Sequence, residues 1–322
     1  MQDFDRLIIR LRQFGGIRLL WQYLRMGVLW TGIRECLRCI ANGRSLKYVY
    51  PAITRKIDKI LTEKFANAPQ YTVPATSPNA NVGEDVIWFC WLQGMDNAPA
   101  LVRACHNSIA TNLPGNSVVV ITADNYHDYV TLPDYIERKY HDGIIPHPLF
   151  SDILRLALLI HHGGTWIDAS VLCTGNKYWE DIQNSELFLF RYFKDGKVIG
   201  ISNWFIHAKP NNPVLRSTLG MLLAYWRDYN CTVEYYIFHL FFSIAARKHP
   251  ELIRQMPRGN SFAFIQLGQR ITQDFDLEWW NNLTDKVSFH KLNYRHTDKA
   301  SKYHNSYYKH IVTQYGDIHT VL

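Results

Sequence analysis

The sequence has no uninterrupted apolar run long enough to cross a bilayer, so a transmembrane helix is not expected. Its first residues offer no charge-free apolar stretch either, because Arg6, Arg10, Arg12 and Arg18 interrupt it. A secretory leader is therefore not expected. The 18 Gly and 13 Pro follow no period, which excludes collagen-like and low-complexity readings. Charged residues make up only 20% while aromatic ones reach 14%, and that balance excludes a disordered chain. Cysteines are few: Cys36, Cys39, Cys90, Cys105, Cys173 and Cys231. Cys36 and Cys39 form one CxxC, but no second pair follows at zinc-ligand spacing, so a structural zinc is not expected. Several of the cysteines sit in apolar runs, as reduced thiols of a cytoplasmic protein do. Neither a GxxxxGKS/T loop nor a GxGxxG turn occurs, against a kinase or phosphatase. The absence of a GxSxG or Cys/His arrangement argues against a protein nucleophile.

What is present is a chain of 322 residues, 47% hydrophobic, with a net charge of +7. Residues 1–60 hold 12 of the 35 Lys/Arg and 4 of the 28 Asp/Glu, a net of +8, which leaves the rest at −1. The main body therefore does not look like a nucleic-acid groove, and no nucleic-acid partner is expected. Phe4, Leu7, Ile8, Leu11 and Phe14 recur at helical spacing, and Ile17, Leu20, Trp21, Leu24 and Val28 resume it. Arginines lie among them. Two readings stand: a basic amphipathic segment, residues 1–40, lying on an anionic membrane surface, or a helix docked on the protein's own core with a solvated basic face.

Residues 1–80 read as a helical extension, with a further helix near residues 53–65, ending in a Pro- and Asn-rich linker over residues 67–83. Residues 81–322 read as the main domain. Residues 86–92 form a short apolar run, residues 98–112 carry a helical pattern, and Ser117–Thr122 spells SVVVIT. Strand, helix and strand in succession make a βαβ unit, hence an α/β fold with parallel strands. Residues 151–162 predict a nearly all-apolar helix with Ser151 or Asp152 as its cap. Gly163 and Gly164 end it, and residues 165–168 predict a strand with Asp168 at its carboxyl end, where ligands bind in open α/β sheets.

Asp152 and Arg155 lie three apart on this apolar helix. Charges there are costly unless paired or used on a ligand. An intrahelical Asp–Arg pair and a ligand-binding pair both fit.

The segment SDILRLALLIHHGGTWIDAS (residues 151–170) resembles the capsular polysaccharide synthesis glycosyltransferases, relatives of the DxD sugar transferases that include Och-type mannosyltransferases and the glucosylating clostridial toxins. Their pattern is SDxxRxxxLxxxGGxYxDxD, and this chain matches it without gaps, with Trp166 for the Tyr and Ser170 for the second Asp. The resemblance spans residues 85–303. It implies a GT-A fold, a nucleotide-sugar-binding mixed sheet flanked by helices. It also implies transfer, with retention, from a nucleotide-sugar, a UDP-sugar first among candidates, to a polyprenyl-linked or other surface glycan. The place of action would be the cytoplasmic face of a bacterial membrane.

The resemblance assigns roles residue by residue. Trp91, in a segment like the family's IWIGG, would stack on the nucleotide base, with plain core packing as its other reading. Asp152 and Arg155 would contact the sugar and phosphate-ribose side, and Asp168 the diphosphate with a Mn²⁺ or Mg²⁺ ion. With Ser170 in place of the second carboxylate, one carboxylate is a poor divalent site. Ser170 with a later residue, His290 or His304 among the candidates, would have to complete it. Failing a metal, cations such as Arg155 must neutralise the leaving diphosphate. Asn203 would bond sugar hydroxyls or serve a turn. Glu234 and His239, in EYYIFH where the family has DYFLFH, would act near the anomeric carbon, or else cap a helix and fill its core. A non-catalytic nucleotide-sugar or glycan binder on the same fold is the alternative reading.

Overall fold

Ile87-Trp88-Phe89-Cys90 and Val118-Val119-Val120-Ile121 are short β-branched and aromatic runs, and each forms a strand, the first buried as interior parallel strands are and the second half-buried at the sheet's edge. They belong to a computed structural model that describes residues 16–78, 80–83, 85–194, 197–257, 263–294 and 304–316. The apolar positions expected at Phe4, Leu7, Ile8, Leu11 and Phe14, with Arg6, Arg10 and Arg12, lie outside the described residues. In chain order the elements are α1 (Ile17–Arg25), α2 (Val28–Ala41), α3 (Val49–Phe65), β1 (Ile87–Cys90), α4 (Ala100–Asn112), β2 (Val118–Ile121), α5 (Asp134–His141), α6 (His147–His162), β3 (Gly164–Asp168), β4 (Val171–Cys173) and α7 (Trp179–Gln183). There follow β5 (Leu187–Lys194), β6 (Lys197–Ala208), α8 (Pro213–Asp228), α9 (Ile237–Lys248), α10 (Pro250–Gln255), α11 (Ala263–Arg270), α12 (Leu277–Thr284), β7 (Phe289–Lys291) and α13 (Tyr307–Tyr315).

The chain divides into two compact units. One joins the N-terminal segment up to Thr72 to residues 132–156 and 213–249; the other holds residues 73–131, 157–212 and 250–322. The N-terminal helices thus group in space with later parts of the chain.

The second unit carries a five-stranded sheet of order β2-β1-β3-β6-β5. β1 pairs in parallel with β2 and β3, whereas β3–β6 and β5–β6 are antiparallel. The expected βαβ unit is there, inside the mixed α/β sheet flanked by helices that the GT-A expectation required. Trp88 and Ile167 are fully buried in it. A separate two-stranded ribbon pairs β4 with β7, Val171 opposite Lys291 and Cys173 opposite Phe289. The helix expected to begin at Ser151 begins one turn earlier, at His147. Pro148 is tolerated in that first turn because its missing N–H would have had no helical partner. Ser151 is therefore an interior residue, with its hydroxyl donating back to Pro148 O at 2.9 Å, rather than a cap.

Gly163 and Gly164 adopt φ of +73° and +88°, so the double glycine is a backbone requirement. A Cβ on Gly164 would lie 2.4 Å from Val86 O, and one on Gly163 would lie 2.7 Å from Pro210 Cδ. The bend delivers the chain directly into β3. Gly163 O accepts the buried Trp88 indole N–H at 2.9 Å, and Thr165 N donates to Val86 O at 2.9 Å.

Two buried histidines in this unit are held neutral. His207 shares a 2.8 Å hydrogen bond with Thr165 Oγ1, and His290 one of 2.9 Å with Thr174 Oγ1. Burial pulls His207 from 6.5 down to about 4 and His290 down to about 3. The unfolded chain protonates both below its ordinary value near 6.5, while the folded chain does not. Stability is thus full above that value and is lost as pH falls toward the folded-state values. For His207 the linkage loss at pH 5 is on the order of 2 kcal/mol. The thermal midpoint is expected to drop by several degrees between pH 7.5 and pH 5, and the drop to shrink in a His207→Gln/His290→Gln variant. An equally steep drop in that variant would assign the acid sensitivity elsewhere.

The first unit is helical. Phe65 of α3 meets Tyr225, Tyr229 and Phe241 edge to face at centroid distances of 5.8 to 6.0 Å. Gly220 of α8 admits the backbone of Pro69, whose carbonyl oxygen a Cβ would meet at 2.0 Å. α1 and α2 bury Leu19, Val28, Gly32 and Cys39, with Gly32 set against Ile53. Their larger apolar residues face solvent instead: Ile17, Leu20, Trp21 and Leu24 on α1, and Trp30, Ile33, Leu37 and Ile40 on α2. Trp30 is 66% exposed and Trp21 60%. Arg18, Trp21, Arg25 and Asn230 line a cavity of ≈ 500 Å³ beside α1. No helix among the described residues is long and apolar enough to cross a membrane.

Candidate functional site

In the second unit β1 and β3 run parallel with Cys90 opposite Asp168, so their carboxyl ends lie side by side. Such an edge exposes backbone ends and loops that carry ligands in open α/β sheets. Asp168 closes β3 there, and Trp91 is the first residue past β1. The β3–β6 register, with Ile167 opposite Phe205, brings Asn203 toward the same edge. Asn203 lies within β6, so its turn reading is corrected: it is a strand residue.

Both oxygens of Asp168 are engaged. Trp166 Nε1 donates to Oδ1 at 2.8 Å, and Lys291 Nζ donates to Oδ2 at 2.7 Å. The same ammonium donates to Ser170 Oγ at 2.9 Å. Ser170 is buried, while the side chains of Asp168 and Lys291 are each about a quarter exposed, 24% and 25%. The ribbon fixes this contact: Val171 pairs with Lys291, and Leu292 N donates to Ser170 O at 2.8 Å. Sequence reasoning missed Lys291, because no local pattern ties it to Asp168 and only long-range strand pairing makes them meet.

Trp91 is half-buried, with its ring edge-on to Tyr294 at 5.3 Å. Its indole Nε1 is buried and meets no acceptor among the described residues.

A divalent cation at Asp168 would need several hard oxygen ligands. The position offers one carboxylate and one hydroxyl, and a lysine ammonium already bridges them. Among the described residues no group of three or more His, Cys, Asp or Glu gathers to hold a metal. His290 does not complete a site: it is fully buried, its Nε2 is spent on Thr174, and strand alternation turns it away from the face of Lys291. His304 is exposed. Among the described residues, those gathered at Asp168 do not fit a Mn²⁺ or Mg²⁺ ion.

The first unit holds the remaining expected residues. Asp152 and Arg155 are 5% and 4% exposed, with Asp152 Oδ1 3.4 Å from Arg155 Nη1. Arg155 also donates from Nε to Ser151 O at 3.2 Å and from Nη2 to Ser151 Oγ at 3.0 Å. The intrahelical pair therefore forms, locked by the serine one turn back. Glu234 is buried and accepts from Tyr236 N at 3.1 Å, which shapes the turn that enters α9. His239 sits half-buried in the first turns of α9, its ring edge-on to Tyr236 at 5.5 Å.

The family description "capsular polysaccharide synthesis protein" matches residues 40–311. Among solved structures, one titled PaToxG Glycosyltransferase aligns at 14% identity and a TM-score of 0.37, over 63% of this chain and 82% of that one. No curated protein gives a significant sequence match.

Proposed function

The chain belongs to the capsular polysaccharide synthesis protein family, and from that membership we propose that it is a glycosyltransferase moving a hexose from a nucleotide-sugar, a UDP-sugar first, to a growing surface glycan. The observation that carries the reading is the placement of Asp168 at the carboxyl end of β3, beside the end of β1, with Ser170 and a cation at hand. Trp91 offers a ring for the base, and its buried N–H meets no acceptor among the described residues. The diphosphate lies by Asp168 and Ser170, and Asn203 serves the sugar hydroxyls. The roles proposed for Asp152 and Arg155 toward the donor, and for Glu234 and His239 in the transfer, rest on the sequence resemblance. So does the domain assignment, an N-terminal extension of residues 1–80 and a transferase domain of residues 81–322.

In the transfer, the bond from the anomeric carbon to the diphosphate oxygen breaks and a bond from that carbon to the acceptor hydroxyl forms on the same face. The hydroxyl proton passes to the departing phosphate oxygen. Attack on the face that the diphosphate leaves retains configuration, and this route needs no protein nucleophile and no covalent enzyme intermediate. No step is routed through a metal. The test is release of nucleoside diphosphate from a panel of nucleotide-sugars in the presence of glycan acceptors, with and without EDTA. A protein that binds a donor but releases nothing from any of the panel is instead a binding module, a reading that the missing second carboxylate favours.

The partner surface is an anionic membrane leaflet on the cytoplasmic side. The exposed stripes of α1 and α2, flanked by Arg18, Arg25, Arg34 and Arg38, combine apolar insertion with phosphate attraction. Each large side chain taken out of water contributes about 1.5–3 kcal/mol. Trp30→Glu with Leu37→Glu is expected to weaken binding to phosphatidylglycerol vesicles at least tenfold, and high salt to weaken wild-type binding. Equal cosedimentation of variant and wild type sinks the membrane assignment.

A further inference from the structure

We propose that Lys291 is the built-in cation of the diphosphate site, so that the donor is bound without a divalent metal. The inference rests on the reading of this site as one for a nucleotide-sugar.

The two positions that would hold a divalent ion in a DxD transferase are Asp168 and Ser170, first and third of Asp-Ala-Ser. Lys291 Nζ touches both, at 2.7 Å and 2.9 Å. The ammonium therefore stands between the would-be ligands. Charge agrees with position. Two carboxylates and a divalent ion sum to zero; so do one carboxylate and one ammonium. One carboxylate with a lysine ammonium is thus as neutral as the two-carboxylate, divalent-ion arrangement. A divalent ion added to Asp168 and Ser170 would have to displace Lys291 or lie against a like charge in a partly buried setting.

Geometry keeps the ammonium available to a ligand. An ammonium has three N–H donors. Two go to Asp168 and Ser170, and among the described residues no third acceptor is present. The side chain is a quarter exposed, open to an anion yet not swinging freely in water. Its backbone is clamped from both sides. Val171 pairs with it across the ribbon, and Gly268 of α11 comes so close that a Cβ there would lie 2.6 Å from Lys291 O. A preorganised charge of this kind stabilises a departing diphosphate with little reorganisation.

The test is calorimetric titration of the full chain with UDP, GDP, ADP and CDP, in EDTA and in excess Mn²⁺. At least one nucleotide is expected to bind with affinities in the two buffers within threefold of each other. Lys291→Met is expected to weaken that binding at least tenfold in EDTA, and Lys291→Arg to recover most of it, because a guanidinium still bridges two oxygens. Thermal midpoints of both variants report whether the fold persists, and the wild-type comparison needs neither variant. Binding that vanishes in EDTA and returns with Mn²⁺ overturns the proposal and leaves the nucleotide-sugar reading intact. Wild-type affinity in a folded Lys291→Met does the same. No binding in either buffer overturns the nucleotide-sugar reading, and this inference with it.

Discussion

Replacing Asp168 with alanine is expected to abolish sugar transfer while the chain stays folded. Its carboxylate closes β3 at the sheet's carboxyl edge, and it holds Lys291 Nζ at 2.7 Å and the Trp166 indole at 2.8 Å. Without it the ammonium loses the anchor that aims it, and under the proposed reading a departing diphosphate would meet a displaced charge. Loss of one preorganised electrostatic group at a departing anion typically lowers turnover by roughly 10²–10³-fold. The structural cost is small by comparison: a partly exposed ion pair contributes about 1 kcal/mol or less. Asp168→Asn separates charge from shape, since an amide oxygen still accepts from Trp166 or Lys291. Turnover in Asp168→Asn should stay near that of the alanine variant. Both variants are read by diphosphate release with the donor found active for the wild type, alongside circular dichroism. Turnover in Asp168→Ala equal to wild type would remove the residue from the site.

The second large effect belongs to Gly164. Alanine there meets Val86 O at 2.4 Å and Val86 Cγ1 at 2.6 Å, and it must adopt φ +88°. Relief would push β1 from β3 and break the Thr165 N to Val86 O hydrogen bond of 2.9 Å. Left-handed strain alone costs on the order of 1–3 kcal/mol. Adding the backbone clash brings the expected loss to about 4 kcal/mol or more, the exceptional range for single substitutions. At about 2–4 °C per kcal/mol for chains of this order, the thermal midpoint should fall by about 10 °C. Gly115→Ala is the control: its φ is +97°, yet a Cβ there meets nothing within 4 Å. If both variants lose the same few degrees, dihedral strain alone explains the bend and the close approach of Val86 is immaterial.

Much of the sheet was legible because its signals are local. SVVVIT reads as a strand from composition alone, although it lies half-buried at the sheet's edge and not in its interior, and the double glycine announces a left-handed bend before Asp168. The helical spacing of Ile17, Leu20, Trp21 and Leu24 matches α1, but the chain breaks at Gly27 and Val28 opens α2, and periodicity alone does not say which side faces the protein. The smaller residues turned inward and the tryptophans outward. The start of α6 was misread because Ser151 is a good cap residue by type, while Pro148 one turn earlier is an equally good first-turn residue. Lys291 was invisible for a stronger reason. Its partners lie more than a hundred positions away, and only the β4–β7 register, a tertiary fact, brings it to Asp168. The sequence shows the missing carboxylate at Ser170 but not the ammonium that lies against it.

The ribbon of β4 and β7 also sets a timetable for the growing polypeptide. A ribosome that has released everything through Ser170 has made Asp168 and Ser170, but the lysine that bridges them is still to be translated. A chain that stops short of Phe289 lacks β7, and Asp168 then keeps the Trp166 indole but not the ammonium. The electrostatic pairing at this strand end is thereby a late event of synthesis, set by β7 and not by the residues around Asp168.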